Sequence, residues 1–383
     1  MRTALGDSVA YFERDLAAST TQIFATTLDA TYNVRYWNLD RLDQVGLPLD
    51  GVYNPGSLDG SGSHVFVLDT GIRWSHQDFS NRVGTGTSII GSSNWDDNGH
   101  GTHVAGIAAG SIHGVAKKAI VHAVKVLDAQ GSGSYSNIIS GMGWVKNFVL
   151  QNNIRQAVVV MSLGGPRASS LNDAVEDLAA NGIQVVVAAG NNNGGDSCSY
   201  SPASATSAIT VGASDNNDRL TSFSNVGGCI SIFAPGASIQ SASYGSDTGE
   251  ATMSGTSMAG PHVAGVVAMI LQNQPGASVS DVRSALNRAA PAITFSPSSP
   301  SRLLNAQTSR LRSGQSSPTP VPAPTSTPST APRASPPPVA TPTPVVTAPI
   351  SAPAFQPISF PSFGAPSGRP SWCATCAWCM FCN

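Results

Sequence analysis

The stretch Val67-Leu68-Asp69-Thr70-Gly71 ends an apolar segment with a carboxylate followed by a glycine turn. Two later stretches also place small residues around one reactive side chain: Asn98-Gly99-His100-Gly101-Thr102-His103 and Ser254-Gly255-Thr256-Ser257-Met258-Ala259. A serine hydroxyl acts as a nucleophile only when a base takes its proton, and a third group must orient that base. The three stretches supply such an acid, base and nucleophile in the chain order Asp, His, Ser. This order predicts one of the convergent serine-hydrolase arrangements.

Short apolar segments alternate with amphipathic ones from about residue 35 to residue 305. The predicted buried strands are 65–68, 119–127, 157–161, 184–188 and 208–211, and the predicted helices are 103–109, 136–151, 170–181 and 261–274. This alternation predicts an α/β fold, with a parallel sheet covered by helices on both faces. Ligands bind beyond the carboxyl ends of the strands in such sheets, so Asp69 lies where a site is expected.

The composition excludes several classes of function. Charged residues make up 11% of the 383 residues and the net charge is −2, against about 25% charged residues in an ordinary soluble domain. No basic stripe indicates a nucleic-acid partner, and no apolar run is long enough to predict a membrane span. This composition favours a secreted protein. Because Asp7, Glu13, Arg14 and Asp15 interrupt any apolar segment near the N-terminus, we expect no signal peptide within this chain.

Together with Ser162-Leu163-Gly164-Gly165 and Ala188-Ala189-Gly190-Asn191, the three stretches resemble those of subtilisin-like serine peptidases, in particular the proteinase K and aqualysin branch. The resemblance runs from about Tyr36 to residue 300. It implies a three-layer fold and a secreted, monomeric serine endopeptidase that acts on polypeptides and needs no cofactor for its chemistry. The implied site residues are the triad Asp69, His100 and Ser257, with the Asn191 amide and the Ser257 N–H as oxyanion donors.

The residues around Ser257 support this role. Pro261 predicts a helix that starts there with proline in its first turn, where a missing N–H costs nothing. A hydroxyl near a helix N-terminus benefits from the positive end of the helix dipole when charge develops. An ordinary capping serine is the alternative, which the other stretches disfavour. We predict that His103 and His262 are packed helix residues and that His76 lies on a surface loop.

A substrate groove can also be sketched. The stretch Gly131-Ser132-Gly133-Ser134-Tyr135 resembles one edge that pairs with an extended peptide, and Ser162-Leu163-Gly164 resembles the other. Main-chain pairing gives affinity without sequence specificity, which predicts broad specificity. Ala188, Ala189 and Gly190 would form the wall of the pocket for the residue before the scissile bond. None of these is charged, so we expect an apolar or aromatic residue there.

The resemblance carries two further expectations. Cys198 and Cys229 match one disulfide of the aqualysin type, and two unpaired buried thiols are the alternative. Family members also bind calcium, at one site through an aspartate just before an Ile-Phe-Ala-Pro-Gly stretch. Here that position is Ser231, which lacks the carboxylate that a hard cation needs. The carbonyls of Tyr200-Ser201-Pro202 remain available as ligands, but we predict no metal ligand.

Four segments are expected along the chain. Residues 1–34 would be the remnant of an inhibitory propeptide and its processing region, and residues 35–305 the peptidase domain. Residues 306–371 would be an extended linker rich in Pro, Ser and Thr, and residues 372–383 a Cys-rich tail. The stretch Val9-Ala10-Tyr11-Phe12-Glu13-Arg14-Asp15 resembles the last strand of the propeptide, and the mature region would begin near Tyr36. In the family the propeptide inhibits the enzyme and chaperones its folding. Because we expect about two thirds or more of that propeptide to be missing here, we expect this chain to fold poorly alone.

The tail leaves alternatives open. Cys373, Cys376, Cys379 and Cys382 have a strict spacing of three, which resembles part of an iron–sulfur or zinc run. Disulfides within or between chains, or a mispredicted C-terminus, would explain the same residues. A binding or wall-anchored protein without activity would use the linker and tail, but it has no need of a complete triad. An esterase of the α/β-hydrolase type is disfavoured, because its chain order differs and Ala259 replaces the last glycine of its Gly-x-Ser-x-Gly elbow.

Overall fold

The computed structural model describes residues 13–20, 23–24, 36–293, 295, 299 and 302–311. The chain divides into two units, residues 1–319 and 320–383, and all described residues lie in the first. The four tail cysteines and the predicted linker after Leu311 lie outside the described residues. Within the described part, no helix combines the length and apolar character needed to span a bilayer.

A parallel sheet of seven strands forms the centre of the fold, as the sequence predicts. Its spatial order is β12-β11-β9-β7-β3-β5-β4, and every neighbouring pair is parallel. The strands are β3 (His64–Asp69), β4 (Thr87–Ser88), β5 (Ile120–Lys125), β7 (Ala157–Met161), β9 (Gln184–Ala188), β11 (Ile209–Ser214) and β12 (Ile232–Pro235). Strands β7 and β9 have the predicted bounds, whereas the short edge strands β4 and β12 are additional.

Helices cover both faces of this sheet. Side chains alternate between the two faces of β3, so Val65 and Val67 join one buried cluster while Phe66 and Leu68 join the other. The first cluster includes α2 (His100–Ala109) and α5 (Thr256–Asn273), and the second includes α3 (Tyr135–Gln151) and α4 (Ser169–Ala180). The remaining helices are α1 (Trp37–Leu42), α6 (Val279–Ala289) and α7 (Thr308–Leu311).

Two of the helices begin three or more residues earlier than predicted. Helix α2 starts at His100, three residues before the predicted start. Helix α5 starts at Thr256, so the prediction that Pro261 lies in its first turn is wrong. A proline inside a helix leaves the carbonyl four residues before it without its usual N–H donor. Here that carbonyl belongs to Ser257 and accepts a hydrogen bond from Ser162 Oγ at 2.8 Å.

Two smaller sheets contain the N-terminal part of the chain. In the four-stranded sheet β1 (Ala17–Thr20) lies between β6 (Ser132–Ser134) and β8 (Leu163–Pro166), and β10 (Tyr200–Ser201) pairs with β8. The second sheet has the order β13-β14-β2. Its strands are β13 (Ile239–Ala242), β14 (Glu250–Ser254) and β2 (Ile23–Phe24).

The disulfide implied by the resemblance is present. Cys198 and Cys229 are bonded, with 5.3 Å between their Cα atoms and a sequence separation of 31 residues. It joins the short 3-10 turn at Ser197–Ser199 to the loop that leads into β12. Closing a loop of this length stabilises a fold by about 3–4 kcal/mol in the chain-entropy model.

We expect the double replacement Cys198→Ala/Cys229→Ala to lower the melting temperature by about 6–12 °C, because it restores the entropy of an open loop to the unfolded chain. Circular dichroism melts with and without reductant would measure the shift. The reductant should lower the melting temperature of the parent chain and leave that of the double variant unchanged. Equal melting temperatures for both chains would contradict a stabilising disulfide.

Candidate active site

Asp69 ends β3 at the carboxyl edge of the sheet, and its side chain is wholly buried. Its Oδ1 accepts the backbone N–H of Thr70 at 2.7 Å. The chain just after it is held by Lys125, which pairs with Asp69 across the sheet and donates from Nζ to the Thr70 carbonyl at 2.5 Å. A buried strand end thus presents a carboxylate in a fixed position.

His100 is the first residue of α2, and its imidazole is buried against this carboxylate. Nδ1 lies 2.7 Å from Oδ1 and 2.9 Å from Oδ2 of Asp69. Because an ionised carboxylate only accepts hydrogen bonds, Nδ1 carries a proton and Nε2 of the neutral ring has the free lone pair. Nε2 is buried and has no hydrogen-bond partner among the described residues. The arrangement therefore presents a base oriented by an acid.

Asp96 holds the start of α2, and the sequence analysis did not identify it. Its Oδ1 accepts Thr70 Oγ1 and the Gly99 N–H, both at 2.8 Å. Its Oδ2 accepts the Thr102 N–H at 2.9 Å. In these contacts the carboxylate accepts hydrogen bonds from free N–H groups at the helix N-terminus. Its negative charge is also attracted to the positive end of the helix dipole. The one feature of the sequence that could have indicated Asp96 is its position four residues before the candidate base.

The candidate nucleophile lies in the first turn of α5. Ser257 is buried, and its Oγ donates to the Ser162 carbonyl at 3.2 Å. Ser162 Oγ donates in return to the Ser257 carbonyl, the one that Pro261 leaves available. Gly255, immediately before the helix, has a φ of 150°, which favours glycine. These contacts fix Ser257 beside the residue that leads into β8.

Asn191 is oriented by the residue before Ser257. Its Oδ1 accepts both the N–H and the Oγ1 of Thr256, each at 3.0 Å. Because the backbone N–H can only donate, the atom facing Thr256 must be the amide oxygen. The amide NH₂ therefore points away from Thr256. Thr256 was not predicted as a site residue.

Asn225 organises the loop that carries Asn191, and it too was not predicted. Its Nδ2 donates to the Ala189 carbonyl at 2.9 Å, and its Oδ1 accepts the Asn192 N–H at 2.8 Å. Gly190 has a φ of 100°, and a Cβ there would lie 2.5 Å from Asn225 Nδ2. A glycine is thus required at this position for both conformation and space.

An uncharged pocket adjoins these residues. It has a volume of about 390 Å³, within the range of about 300–1,000 Å³ typical of ligand sites. The predicted wall residues Ala188, Ala189 and Gly190 line it with Gly164 and Asn191, and none of its lining residues is charged. Ser19 and Thr20 of the chain itself also line it.

The predicted peptide-pairing edges are occupied by the chain's own strand β1, which runs antiparallel to both. Ala18 pairs with Gly133 of β6 and Ser19 with Gly164 of β8. The N–H of Thr20 donates to the Gly131 carbonyl at 3.0 Å. Tyr135 spans the cleft beneath, since its hydroxyl donates to the Pro166 carbonyl at 2.6 Å. Both edges thus pair with an extended peptide.

Two acidic residues precede β1 and hold helix N-termini. Asp15 accepts from the side chain and N–H of Ser136 in α3, at 2.7 and 2.9 Å. Glu13 accepts the N–H groups of Ser169 and Ser170 in α4, at 2.9 and 2.8 Å. Hydrogen bonds from the Ser136 and Ser170 side chains and backbones hold the pKa of both carboxyls below its usual range. Of the stretch 9–15 expected to be a strand, residues 9–12 lie outside the described residues and residues 13–15 are not a strand.

The other histidines near the site are structural. His103 is buried, its Nε2 lies 3.0 Å from the Ala251 carbonyl, and burial lowers its pKa to about 3. His262 is buried against Asn38 and the Met258 carbonyl, and burial lowers its pKa to about 4. The prediction that His76 lies on a surface loop is wrong. It is 1% exposed, and its Nε2 lies 2.9 Å from the Gly249 carbonyl, a contact made across 173 residues of sequence.

The comparisons of this chain with known proteins agree with one another. Residues 60–318 match the family model described as the Subtilase family. The extracellular serine proteinase of Thermus sp. (strain Rt41A) is 50% identical over 280 residues, which cover 73% of this chain and 65% of the relative. The alkaline serine exoprotease A of Vibrio alginolyticus is 41% identical over 321 residues, covering 82% of this chain and 58% of the relative.

A solved structure is similar as well. The crystal structure of a cold adapted subtilisin-like serine proteinase matches with a TM-score of 0.67 and 42% identity. The match covers 72% of this chain and 99% of that one. The chain therefore spans a whole solved peptidase chain, but only 58% and 65% of the length of the two curated relatives.

The buried histidines predict a loss of stability in acid. A histidine with a folded pKa far below 6.5 stays neutral in the fold while the unfolded chain takes up a proton. The free energy of unfolding is therefore unaffected by this histidine above about pH 6.5. Below that pH each such histidine lowers it by about 1.4 kcal/mol per pH unit. Guanidinium unfolding of the Ser257→Ala chain from pH 7.5 to 5 would show this slope. The replacement His262→Gln should reduce this slope by the contribution of one histidine. An unchanged slope would contradict the conclusion that His262 stays neutral in the folded chain.

Proposed function

The chain belongs to the subtilase family, and we propose that it is a serine endopeptidase whose triad is Asp69, His100 and Ser257. The hydrogen bond of 2.7 Å between His100 Nδ1 and Asp69 carries the proposal. It fixes the tautomer in which Nε2 has the free lone pair of a base, and this Nε2 is buried without a partner among the described residues. The comparisons support peptide-bond hydrolysis by a serine, since one named relative is a serine proteinase and the other a serine exoprotease.

The proposed mechanism needs only groups of the chain and water. Ser257 Oγ attacks the peptide carbonyl while His100 Nε2 takes its proton, and Asp69 orients and stabilises the resulting imidazolium. The tetrahedral oxyanion accepts hydrogen bonds from the Asn191 amide and the Ser257 N–H, and one such side-chain donor is worth about 3–4 kcal/mol. His100 then protonates the leaving amine. Water hydrolyses the acyl-enzyme by the same steps, and no cofactor enters.

The cleft supports a broad substrate class. We propose that a polypeptide lies between β6 and β8 as β1 does, because main-chain pairing there ignores side-chain identity. The side chain before the scissile bond would enter the uncharged pocket, which favours an apolar or aromatic residue. We also propose that the protein acts outside the cell, a place that the low charge of the chain and the name of the Thermus relative both support.

The domain organisation is proposed with one adjustment. Residues 1–34 remain the propeptide remnant and processing region, and the peptidase domain begins near residue 35. The domain extends at least to Leu311 rather than to residue 305, because Ala306 and Leu311 are buried in the first cluster. The Ala306 N–H also donates to the Leu42 carbonyl at 2.6 Å. The linker would follow up to residue 371, with the Cys-rich tail at 372–383.

The N-terminal strands suggest where the chain is processed. Thr20 ends β1 in the cleft, and Ile23 of β2 pairs with Ser254, three residues before Ser257. The candidate nucleophile thus follows the partner of β2 by three residues, and Thr20 of β1 lines the uncharged pocket together with Asn191. We propose that Ser257 cuts one of the three peptide bonds that link Thr20 to Ile23. Residues 13–20 would then remain in the cleft as an inhibiting product. This cut precedes the start near Tyr36 that the sequence suggested.

The replacement Ser257→Ala should lower peptide hydrolysis by about 10⁴–10⁶-fold, because it removes the hydroxyl on which the acyl-enzyme is proposed to form. It should also abolish labelling by a fluorophosphonate. Peptides with Phe, Lys or Asp before the scissile bond would test the pocket, with Phe cleaved fastest. The exposed Ser140 offers a matched control, since Ser140→Ala should change neither readout. Labelling retained at another serine would refute the triad, and fastest cleavage after Lys or Asp would refute the pocket.

Processing can be tested by intact mass and N-terminal sequencing of the purified chain. The active chain should start at Thr21, Gln22 or Ile23, and the Ser257→Ala chain should stay uncut. A synthetic peptide of residues 13–20 should inhibit the processed enzyme. Replacing both Glu13 and Asp15 of this peptide by their amides should weaken the inhibition by about 5–30-fold, because two helix caps are lost. Arg14→Gln in the peptide should leave the inhibition unchanged. A first cut near Tyr36 would overturn the proposed position.

A further inference from the structure

A second cavity lies at the edge of the sheet away from Asp69. Its volume is about 390 Å³, and it lies where β11 and β12 begin. Its lining includes Thr206, Ala208, Ser231 and Arg283, as well as Cys229 of the disulfide. The proposed peptidase mechanism uses none of these residues. Ser231 is the position at which the family resemblance places a calcium-binding carboxylate.

Two main-chain carbonyls converge on one atom at this cavity. The Thr206 carbonyl accepts Nη2 of Arg283 at 2.7 Å, and the Ala208 carbonyl accepts the same Nη2 at 2.5 Å. The two carbonyls are two residues apart in the loop before β11. Carbonyl oxygens that meet at one point are typical ligands of a hard cation. Here a guanidinium nitrogen, itself a cationic group, lies at that point.

The residues present do not fit a calcium ion. A calcium site needs several oxygen ligands, usually with carboxylates among them. Ser231 supplies no carboxylate, and its Oγ already accepts the Thr210 N–H at 3.2 Å. Arg283 Nε is buried and finds no acceptor among the described residues. The cavity therefore presents an N–H donor and a positive charge, both of which oppose a second cation.

The same loop is also held by an anion. Glu176 of α4 accepts the Ser207 N–H at Oε1, at 3.0 Å. The loop thus offers carbonyls to Arg283 of α6 and an N–H to Glu176, so charges of opposite sign match the two kinds of backbone group. Arg283 in this way connects α6 to the loop that enters the central sheet.

We propose that the guanidinium of Arg283 replaces the calcium ion that the resemblance implies here. The loop 206–208 is held by a cation covalently attached to the chain, and its stability does not depend on dissolved calcium. Arg283 and the serine at position 231 then belong together, since a carboxylate at 231 and a metal ion would occupy the space that the guanidinium uses.

Four chains, all carrying Ser257→Ala so that peptidase activity plays no part, would test the proposal. They are the parent, Arg283→Ala, Ser231→Asp and the double variant Ser231→Asp/Arg283→Ala. Melting temperatures in calcium chloride and in EDTA, and calcium stoichiometry by isothermal titration calorimetry, are the readouts. Arg288→Ala, an exposed arginine on the same helix, is the matched control.

Arg283→Ala should lower the melting temperature by roughly 4–8 °C, equally in calcium and in EDTA, through the loss of two charge-assisted hydrogen bonds. The double variant should bind one more calcium ion than the parent and gain a calcium-dependent rise in melting temperature. Ser231→Asp alone should gain neither, because the guanidinium still fills the site. Arg288→Ala should change nothing.

Three results would overturn the proposal. The first is a calcium-dependent stabilisation of the parent that Arg283→Ala removes, and the second is an extra calcium ion bound by Ser231→Asp alone. The third is a folded double variant that binds no extra calcium. If the double variant does not fold, Arg283→Lys and Arg283→Met decide instead. In EDTA the Arg283→Lys chain should have a higher melting temperature than the Arg283→Met chain. Equal melting temperatures would overturn the role of the charge.

Discussion

The burial of a carboxylate at the end of an apolar strand is the constraint on which the site depends. An ionised side chain removed from water is tolerated only when it is paired and hydrogen-bonded. Asp69 meets this condition through the Thr70 N–H and the imidazole of His100. Asp96 holds the start of the helix that carries this imidazole. The orientation of the base is thus a consequence of satisfying a buried charge.

The sequence predicted the central sheet well because its strands are continuous apolar runs. Strands β7 and β9 are buried on both faces, so their bounds coincide with changes in composition. The starts of α2 and α5 could not be predicted from changes in composition. Each begins in a stretch of small residues, and contacts distant in sequence fix its first turn, such as Asn191 accepting the Thr256 N–H across 65 residues. His76 was misplaced for the same reason.

The residues that position the site were harder to predict than those proposed to react. Asp69, His100 and Ser257 stand in recognisable stretches, whereas Asn225 has no local pattern that indicates its role. It acts through the backbone of a loop that begins 36 residues earlier in the chain. A peptide that binds between β6 and β8, as proposed, would be recognised by backbone groups, and the chain's own strand β1 uses the same groups. What sets that strand apart from an ordinary peptide is the pair of acidic caps that precede it.

Helix α5 is buried along almost its whole length, from Thr256 to Leu271, and it carries Ser257 in its first turn. Such a helix has no polar face with which to exist outside the assembled interior. The proposed nucleophile is therefore set in place only once both helical layers have closed around the sheet. The proposed peptidase activity would in this way depend on complete assembly. Copies that are still half-folded would be harmless to one another, and only fully folded molecules would be able to cleave peptides.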